Sequence, residues 1–388
     1  MEYVSLKEVV HIKHGYAFKG EFFTEENTGK IVLTPGNFSL SGGFIPTKKY
    51  TKEEGFPEEF ILKANDLIVT MTDLSKEIDT IGFAALIPSD DKLYLHNQRI
   101  GLVTIISNDF DKDYIYWLMR TKCYQRTIAN TSNGATVHHT SPDRIYKYKF
   151  KKISLPIQQK IASILTSYDR LIENNIRRIR LLEQMAENLY KEWFVRFRFP
   201  EHEKVEMVNG LPKGWKVEKI KECVKRLPFG RTYKAKELSQ DGEVIVIDQS
   251  TSDFLGFHNN APDHHATFNS PIILFGDHSC KFCLMTRNFS LGENIIPFIS
   301  KDTKQIDNYY LYFATHKLIV TEEYKRHWGR LSSMKILIPT INIQQKFNKL
   351  IIKNEKMKKL LFIQNQLLTR QRDLLLPRLM SGKLEVKS

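Results

Sequence analysis

The strongest constraint on this chain is that it repeats itself. The segment ISLPIQQKIASILTSYDRLIENNIRRIRLLEQMAENLYKEWF, Ile153 to Phe194, returns as ILIPTINIQQKFNKLIIKNEKMKKLLFIQNQLLTRQRDLLLPRLM, Ile336 to Met380. Each copy opens on an apolar stub and a proline, Pro156 or Pro339. Each then reaches Ile-Gln-Gln-Lys, at Ile157 to Lys160 and at Ile343 to Lys346. Three extra residues precede the second tetrapeptide, and beyond it the copies run at a constant offset of 186. Self-similarity of this kind marks one structural unit used twice.

Both copies read as long helices with an apolar seam. In the first, Ile161, Leu165, Tyr168, Ile172, Asn175, Ile179, Leu182, Ala186, Leu189 and Trp193 alternate by four and three, a coiled-coil spacing. In the second, Phe347, Leu350, Asn354, Met357, Leu361, Gln364, Leu368, Gln371 and Leu375 take the same spacing with more polar interruptions. No Gly or Pro interrupts either helix before Pro377, where a stop or kink is expected. Asn175 is the polar residue on the first seam and falls at the offset position of Leu361, so it is expected to set helix alignment at some cost in stability. At about 1.5 Å per residue such a helix is a rod of roughly 57 Å. Two rods, each apolar on one side, pack most simply on each other, antiparallel. Unrelated core helices would also need apolar stripes, but the shared tetrapeptide, proline and length favour duplication.

The rest forms two globular segments rich in short β-like runs broken by Gly, Pro, Asn and Asp. KIVLTPGN, NDLIVTMT and IGFAALIP lie in the first, and GEVIVIDQS and SPIILFGD in the second. FDKDYIYWLM (Phe110 to Met119) and QIDNYYLYFA (Gln305 to Ala314) echo each other as amphipathic helical stretches. The expected architecture is α/β (α+β): globule 1–152, helix 153–198, globule 199–335, then helix and tail 336–388.

Charge narrows the partner. Lys and Arg exceed Asp and Glu by 14 and the sequence pI is near 9.3, which points to an anion, most commonly nucleic acid. The amino-terminal MEYVSLKEVV lacks a signal-peptide pattern, and no apolar run reaches the roughly 20 residues that span a bilayer. Four cysteines in a chain this long suggest a reducing cytoplasm. Cys280-Lys-Phe-Cys283 is a CxxC with His264, His265 and His278 nearby in sequence. With no second CxxC and an alternating SCKFCLM, it reads as a strand, with no metal expected. There is no Asn/Asp-Pro-Pro-aromatic turn, no Gly-rich loop after a strand and no P-loop. Methyl transfer and ATP hydrolysis are therefore not expected of this chain.

The layout resembles the specificity subunits of Type I restriction–modification enzymes along nearly the whole sequence. The matching stretches are the LPIQQKIA-type helix start, GYAF (Gly15 to Phe18), LPKGWKVEKI (Leu211 to Ile220) and the LLLPRLMSGKL ending. The resemblance implies that each globule is a target recognition domain reading one half of a split, asymmetric duplex DNA site. It implies that the helices fix the gap and dock two methyltransferase subunits, and through them restriction/translocase subunits. S-adenosylmethionine, ATP and Mg are then expected on those partners, none in this chain. Diverging globules beside matching helices suit a device whose base contacts must differ while its spacer need not.

Groove-facing loops need Arg, Lys, Asn, Gln or His for bases, and Lys, Arg or hydroxyls for phosphates. The first globule offers Tyr16 and Lys19, then His96, Asn97 and Arg99 of HNQR, and Thr136, His138 and His139 of GATVHHTS. The last stretch resembles the family's late Gly-Thr-Val loop. The second offers Arg231, Tyr233 and Lys234 of FGRTYK, then Asp277 and His278. It also offers Lys325, Arg326, His327 and Arg330 of YKRHWGRL, where aromatics and bases interleave and the family's Arg-His element is resembled. Each could instead be an ordinary solvated loop. Two other classes remain open: a nuclease with a cryptic carboxylate site, marked by metal-dependent turnover, and a protein scaffold, marked by sequence-blind DNA binding.

Overall fold

The computed structural model describes residues 2–39, 42–73, 80–134, 137–250, 252–320 and 325–386. The chain divides into two units, Met1–Glu173 with Asn365–Ser388, and Asn174–Gln364. The unit boundaries do not fall at residues 152 and 335, because stretches of both long helices pack into each core.

The first unit is closed by an antiparallel pair, β1 (Tyr3–Ser5) with β8 (Lys149–Lys151), Tyr3 facing Lys151. A four-stranded antiparallel sheet runs in the order β2 (Val10–His14), β7 (Ile100–Ile105), β4 (Leu67–Thr70), β5 (Ala84–Leu86). A second sheet is built around the parallel pair β3 (Lys30–Val32) and β6 (Leu93–Leu95). β4 reads LIVT and is buried throughout, as a strand covered on both faces requires. Its alternate side chains divide the core. Leu67 and Val69 join Ile12, Val103 and the helices, while Ile68 joins Ile31, Tyr94 and Ile100. Helix α1 (Lys112–Met119) starts where Asp111 accepts the Tyr114 N–H at 2.9 Å, and it buries Trp117 against the long helix α2 (Leu155–Tyr190).

The second unit repeats this plan. β9 (Lys216–Lys219) closes on β16 (Lys335–Ile338), and the four-stranded sheet runs β10 (Val224–Arg226), β15 (Ile295–Ser300), β12 (Ile272–Gly276), β13 (Phe282–Met285). β11 (Val244–Ile247) pairs in parallel with β14 (Phe289–Leu291). Helix α3 (Asn308–Thr315) is capped by Asp307, α4 is a short helix (Trp328–Ser333), and α5 (Ile341–Met380) is the second long helix.

The repeated tetrapeptide has a structural reason. In the first unit the fully buried Gln158 accepts the Asp111 N–H at 3.0 Å and donates to Asp109 O and Ile153 O. In the second, fully buried Gln344 accepts the Asp307 N–H at 2.8 Å and donates to Gln305 O and Pro339 O. The same glutamine ties the start of each long helix to the cap of the short helix before it, satisfying backbone groups at both ends.

Within each unit α2 and α5 run antiparallel. In the first, Asn365 Nδ2 donates to Ile172 O at 3.4 Å and Arg372 pairs with Asp169 at 2.5 Å. In the second, Asn175 Nδ2 donates to Gln364 Oε1 and Lys358 pairs with Glu183 at 3.2 Å. Every seam residue expected on α2, from Ile161 to Trp193, is buried or half-buried. On α5, Phe347 and Leu361 are buried and Asn354, Leu368 and Leu375 half-buried. Leu350 and Met357, expected on the seam, are instead 40% and 41% exposed, and Gln364 and Gln371 are also exposed. The alternate seam places belong one residue later, to Ile351, Lys358, Asn365, Arg372 and Leu379. Charged residues fill two of them because their aliphatic stems pack while their heads pair with carboxylates. The expected stop at Pro377 is also absent. α5 continues to Met380, since a proline this close to the end removes only one late backbone bond. Among the described residues, no helix is long and apolar enough to cross a membrane.

Candidate nucleic-acid interface

Three stretches of the first unit meet at one end of its four-stranded sheet. β2 ends at His14 opposite Gly101, and β4 ends at Thr70 opposite Ile100. Just beyond, Tyr16 bridges Asn97: its N–H donates to His96 O at 2.8 Å, and Gln98 N–H returns to Tyr16 O at 2.9 Å. Gly15 permits this approach, because a Cβ there would sit 2.3 Å from Asn97 O. Met71 N–H donates to Arg99 O, and Thr140 N–H to Met71 O, each at 3.0 Å. His138 and His139 pair with Asp73 and Thr72. The opening loop, HNQR and the late histidine strand are thus one surface.

Individual side chains divide sharply. Lys19, Arg99 and His139 are exposed, and His138 is half-buried. Tyr16 packs its ring against Phe18 and Phe60. His96 and Asn97, nominated as base contacts, are buried. His96 Nε2 lies 2.8 Å from Ile100 O, and burial holds its imidazole below the ordinary value. Asn97 Oδ1 accepts the Arg99 N–H at 3.2 Å, so it shapes the turn that presents Arg99. Thr136 lies outside the described residues.

The second unit builds the same sheet end with different chemistry. Thr232 bridges Leu291 and Tyr233 N–H donates to Leu291 O at 2.9 Å. Asp277 N–H donates to Asn294 O, and Asp277 O accepts the His327 N–H at 2.8 Å, just as Met71 accepts Thr140. The Asp277 carboxylate also accepts the Trp328 N–H at 2.8 Å, fixing the start of α4. Lys325 and Arg326 therefore stand where His138 and His139 stand in the first unit. Both are exposed, as are Arg231, Lys234 and Arg330.

Tyr233 and His327 are buried rather than groove-facing. Tyr233 stacks on His258 at 4.3 Å, and the Arg231 guanidinium lies over the Tyr233 ring, 4.8 Å from its centroid. His327 is fully buried, and its backbone N–H donates to Asp277 Oδ1 at 3.1 Å. His278 is half-buried, its N–H donating to Gln249 Oε1 at 3.1 Å. Cys283 lies in β13, where burial raises its thiol, and among the described residues no group of three His, Cys, Asp or Glu side chains could hold a metal.

Sequence reasoning passed over Glu53, Asp263 and Arg226, and met Gly15 only as part of the GYAF match. Arg226 is exposed and lies 5.6 Å from the Trp328 ring. No motif named from the sequence includes it. Glu53 and Asp263 gave none, because their partners are backbone N–H groups far away in sequence.

Comparison with known proteins bears on the fold and the kind of chain this one resembles. Residues 1–184 match the family described as Type I restriction modification DNA specificity domain. The chain is similar to the Type I restriction enzyme MjaIX specificity subunit of Methanocaldococcus jannaschii, at 26% identity over 88% of this chain and 82% of the relative. It is also similar to the putative MjaX specificity subunit of that organism, at 22% identity over 90% and 86%. The solved S subunit of a Type I restriction-modification system from M. genitalium shares its fold, with a TM-score of 0.58 and 15% identity over 100% of this chain and 96% of that one.

Proposed function

We propose that this chain is a specificity subunit of a Type I restriction–modification system and binds one bipartite, asymmetric duplex DNA site, with one half read by each globular unit. The observation that carries this reading is the sheet end built twice on one plan. The first unit presents Lys19, Arg99, His138 and His139, and the second Arg231, Lys234, Lys325, Arg326 and Arg330. Cations on a backbone scaffold of fixed register suit phosphate positioning with base-edge reading beside it. Identical scaffolds with different side chains would read different half-sites.

In this reading the chain is not itself catalytic and works in the cytoplasm. It contributes binding free energy and its difference between sites. The long helices dock two methyltransferase subunits and, through them, restriction subunits. S-adenosylmethionine, ATP and Mg belong to those partners, and the chain needs no cofactor of its own.

The test is co-expression with the methyltransferase subunit of its own system, followed by sequencing of host DNA for methylated adenines. A single split motif with a fixed gap supports the reading. A soluble complex that adds no methylation contradicts it.

A further inference from the structure

Each unit holds its opening loop in the same unusual way. In the first, the Lys19 N–H donates to Glu53 Oε2 at 2.9 Å, across 34 residues of sequence, and the Tyr16 hydroxyl lies 3.5 Å from Glu53 Oε1. In the second, the Arg231 N–H donates to Asp263 Oδ1 at 3.1 Å, across 32 residues. The donor is in both cases the backbone of an exposed cation in the loop that leaves the first strand of the four-stranded sheet. Glu53 is only 5% exposed, and Asp263 packs so closely that a Cβ at Gly230 would lie 2.7 Å from its own Cβ.

A carboxylate beside a surface that meets phosphates is repelled by them, so its presence in both units calls for a compensating role. Backbone N–H groups supply it, since a carboxylate accepts strongly from them and the bond fixes the main chain. We infer that Glu53 and Asp263 are positioning residues for DNA reading, each setting the direction in which Lys19 or Arg231 is presented. The inference rests on the reading that these loops face DNA. Neither carboxylate touches the nucleic acid. Each acts through the cation whose backbone it holds.

The experiment is the methylation map of the co-expressed complex, repeated with Glu53→Ala, Glu53→Gln, Asp263→Ala and Asp263→Asn. Glu53→Ala is expected to lower modification at cognate sites about tenfold, the weight of one hydrogen bond to a charged group. It relaxes base preference in one half of the motif only, and Asp263→Ala does so in the other half. Glu53→Gln and Asp263→Asn restore the wild-type map, because the amide oxygen still accepts the N–H. A general loss of stability would blur both halves and would not be rescued by the amides. Should Glu53→Ala yield no soluble complex, the exposed Asp263 pair decides alone. A split wild-type motif left unchanged by the alanine variants overturns this inference and spares the DNA-reading account. So do amide variants that behave like alanine, since the charge itself would then be acting. A wild-type map with no split motif overturns both.

Discussion

The Asn175 side-chain amide donates to Gln364 Oε1 at 3.1 Å within the helix seam of the second unit. Asn175 is 4% exposed, so its amide has left water and depends on partners inside the protein. A buried polar residue on a coiled-coil seam selects one register over its apolar alternatives at a cost in stability. Asn175→Leu is therefore expected to raise the unfolding free energy by roughly 1 kcal/mol while loosening register. Thermal denaturation together with amide exchange along α2 checks both parts. A lower melting temperature would show that the amide is needed for the fold itself.

Asp169 lies between two arginines in the first unit, with Arg120 Nη1 and Arg372 Nη1 each at 2.5 Å. Both guanidinium groups are almost wholly buried, and Arg120 also stacks 4.3 Å from the Trp117 ring. Removing the shared carboxylate leaves buried charge without its main counter-ion. Asp169→Ala should destabilise the first unit by about 3 kcal/mol. Denaturant unfolding measures it, and a change below about 0.5 kcal/mol would place this cluster among ordinary surface pairs.

Acid should act on the second unit through Glu187. Burial works against its charge, but the hydrogen bond from Lys317 and the neighbouring His316 hold the carboxyl below its ordinary 4.5. A carboxylate depressed by folding stabilises the fold above its unfolded value and loses that contribution as pH falls through the folded one. Loosening of the contact between α3 and α2 is thus expected below about pH 4.5, and Glu187→Gln should flatten that part of the acid curve. Tryptophan fluorescence from Trp193 and Trp215 reports on this core. Coincident curves for the two proteins would contradict the assignment.

Gly15→Ala tests the loop geometry. Its new Cβ would meet Asn97 O at 2.3 Å, so the loop or the HNQR turn must move. A loss of roughly 1–3 kcal/mol is expected, as for other overpacked sites. The functional effect should fall on one half of the DNA motif, read from the methylation map. A variant with unchanged stability and an unchanged motif would show that this approach is dispensable.

The sequence showed the plan better than the contacts. The duplicated helix starts were legible because Gln158 and Gln344 make the same buried bonds, so the tetrapeptide had to persist. The first seam was legible because its residues are nearly all apolar. The second was misread at Leu350 and Met357, since α5 carries apolar side chains outside the seam and charged ones, Lys358 and Arg372, within it. His96, Tyr233 and His327 have the chemistry of base readers, but their sheet ends use them as core or backbone anchors. Nothing in composition separates those roles: only the pairing of distant strands does.

The central claim is that each unit reads its own half-site, and selection from a random duplex library by the purified methyltransferase complex tests it most directly. The wild-type complex is compared with an Arg99→Ala/His139→Ala variant and a Lys325→Ala/Arg326→Ala variant, and bound duplexes are sequenced. The account predicts two conserved blocks at a fixed gap, with each variant losing base preference in one block and not the same one. Equal weakening of both blocks by either variant, or a single unbroken block, would contradict it.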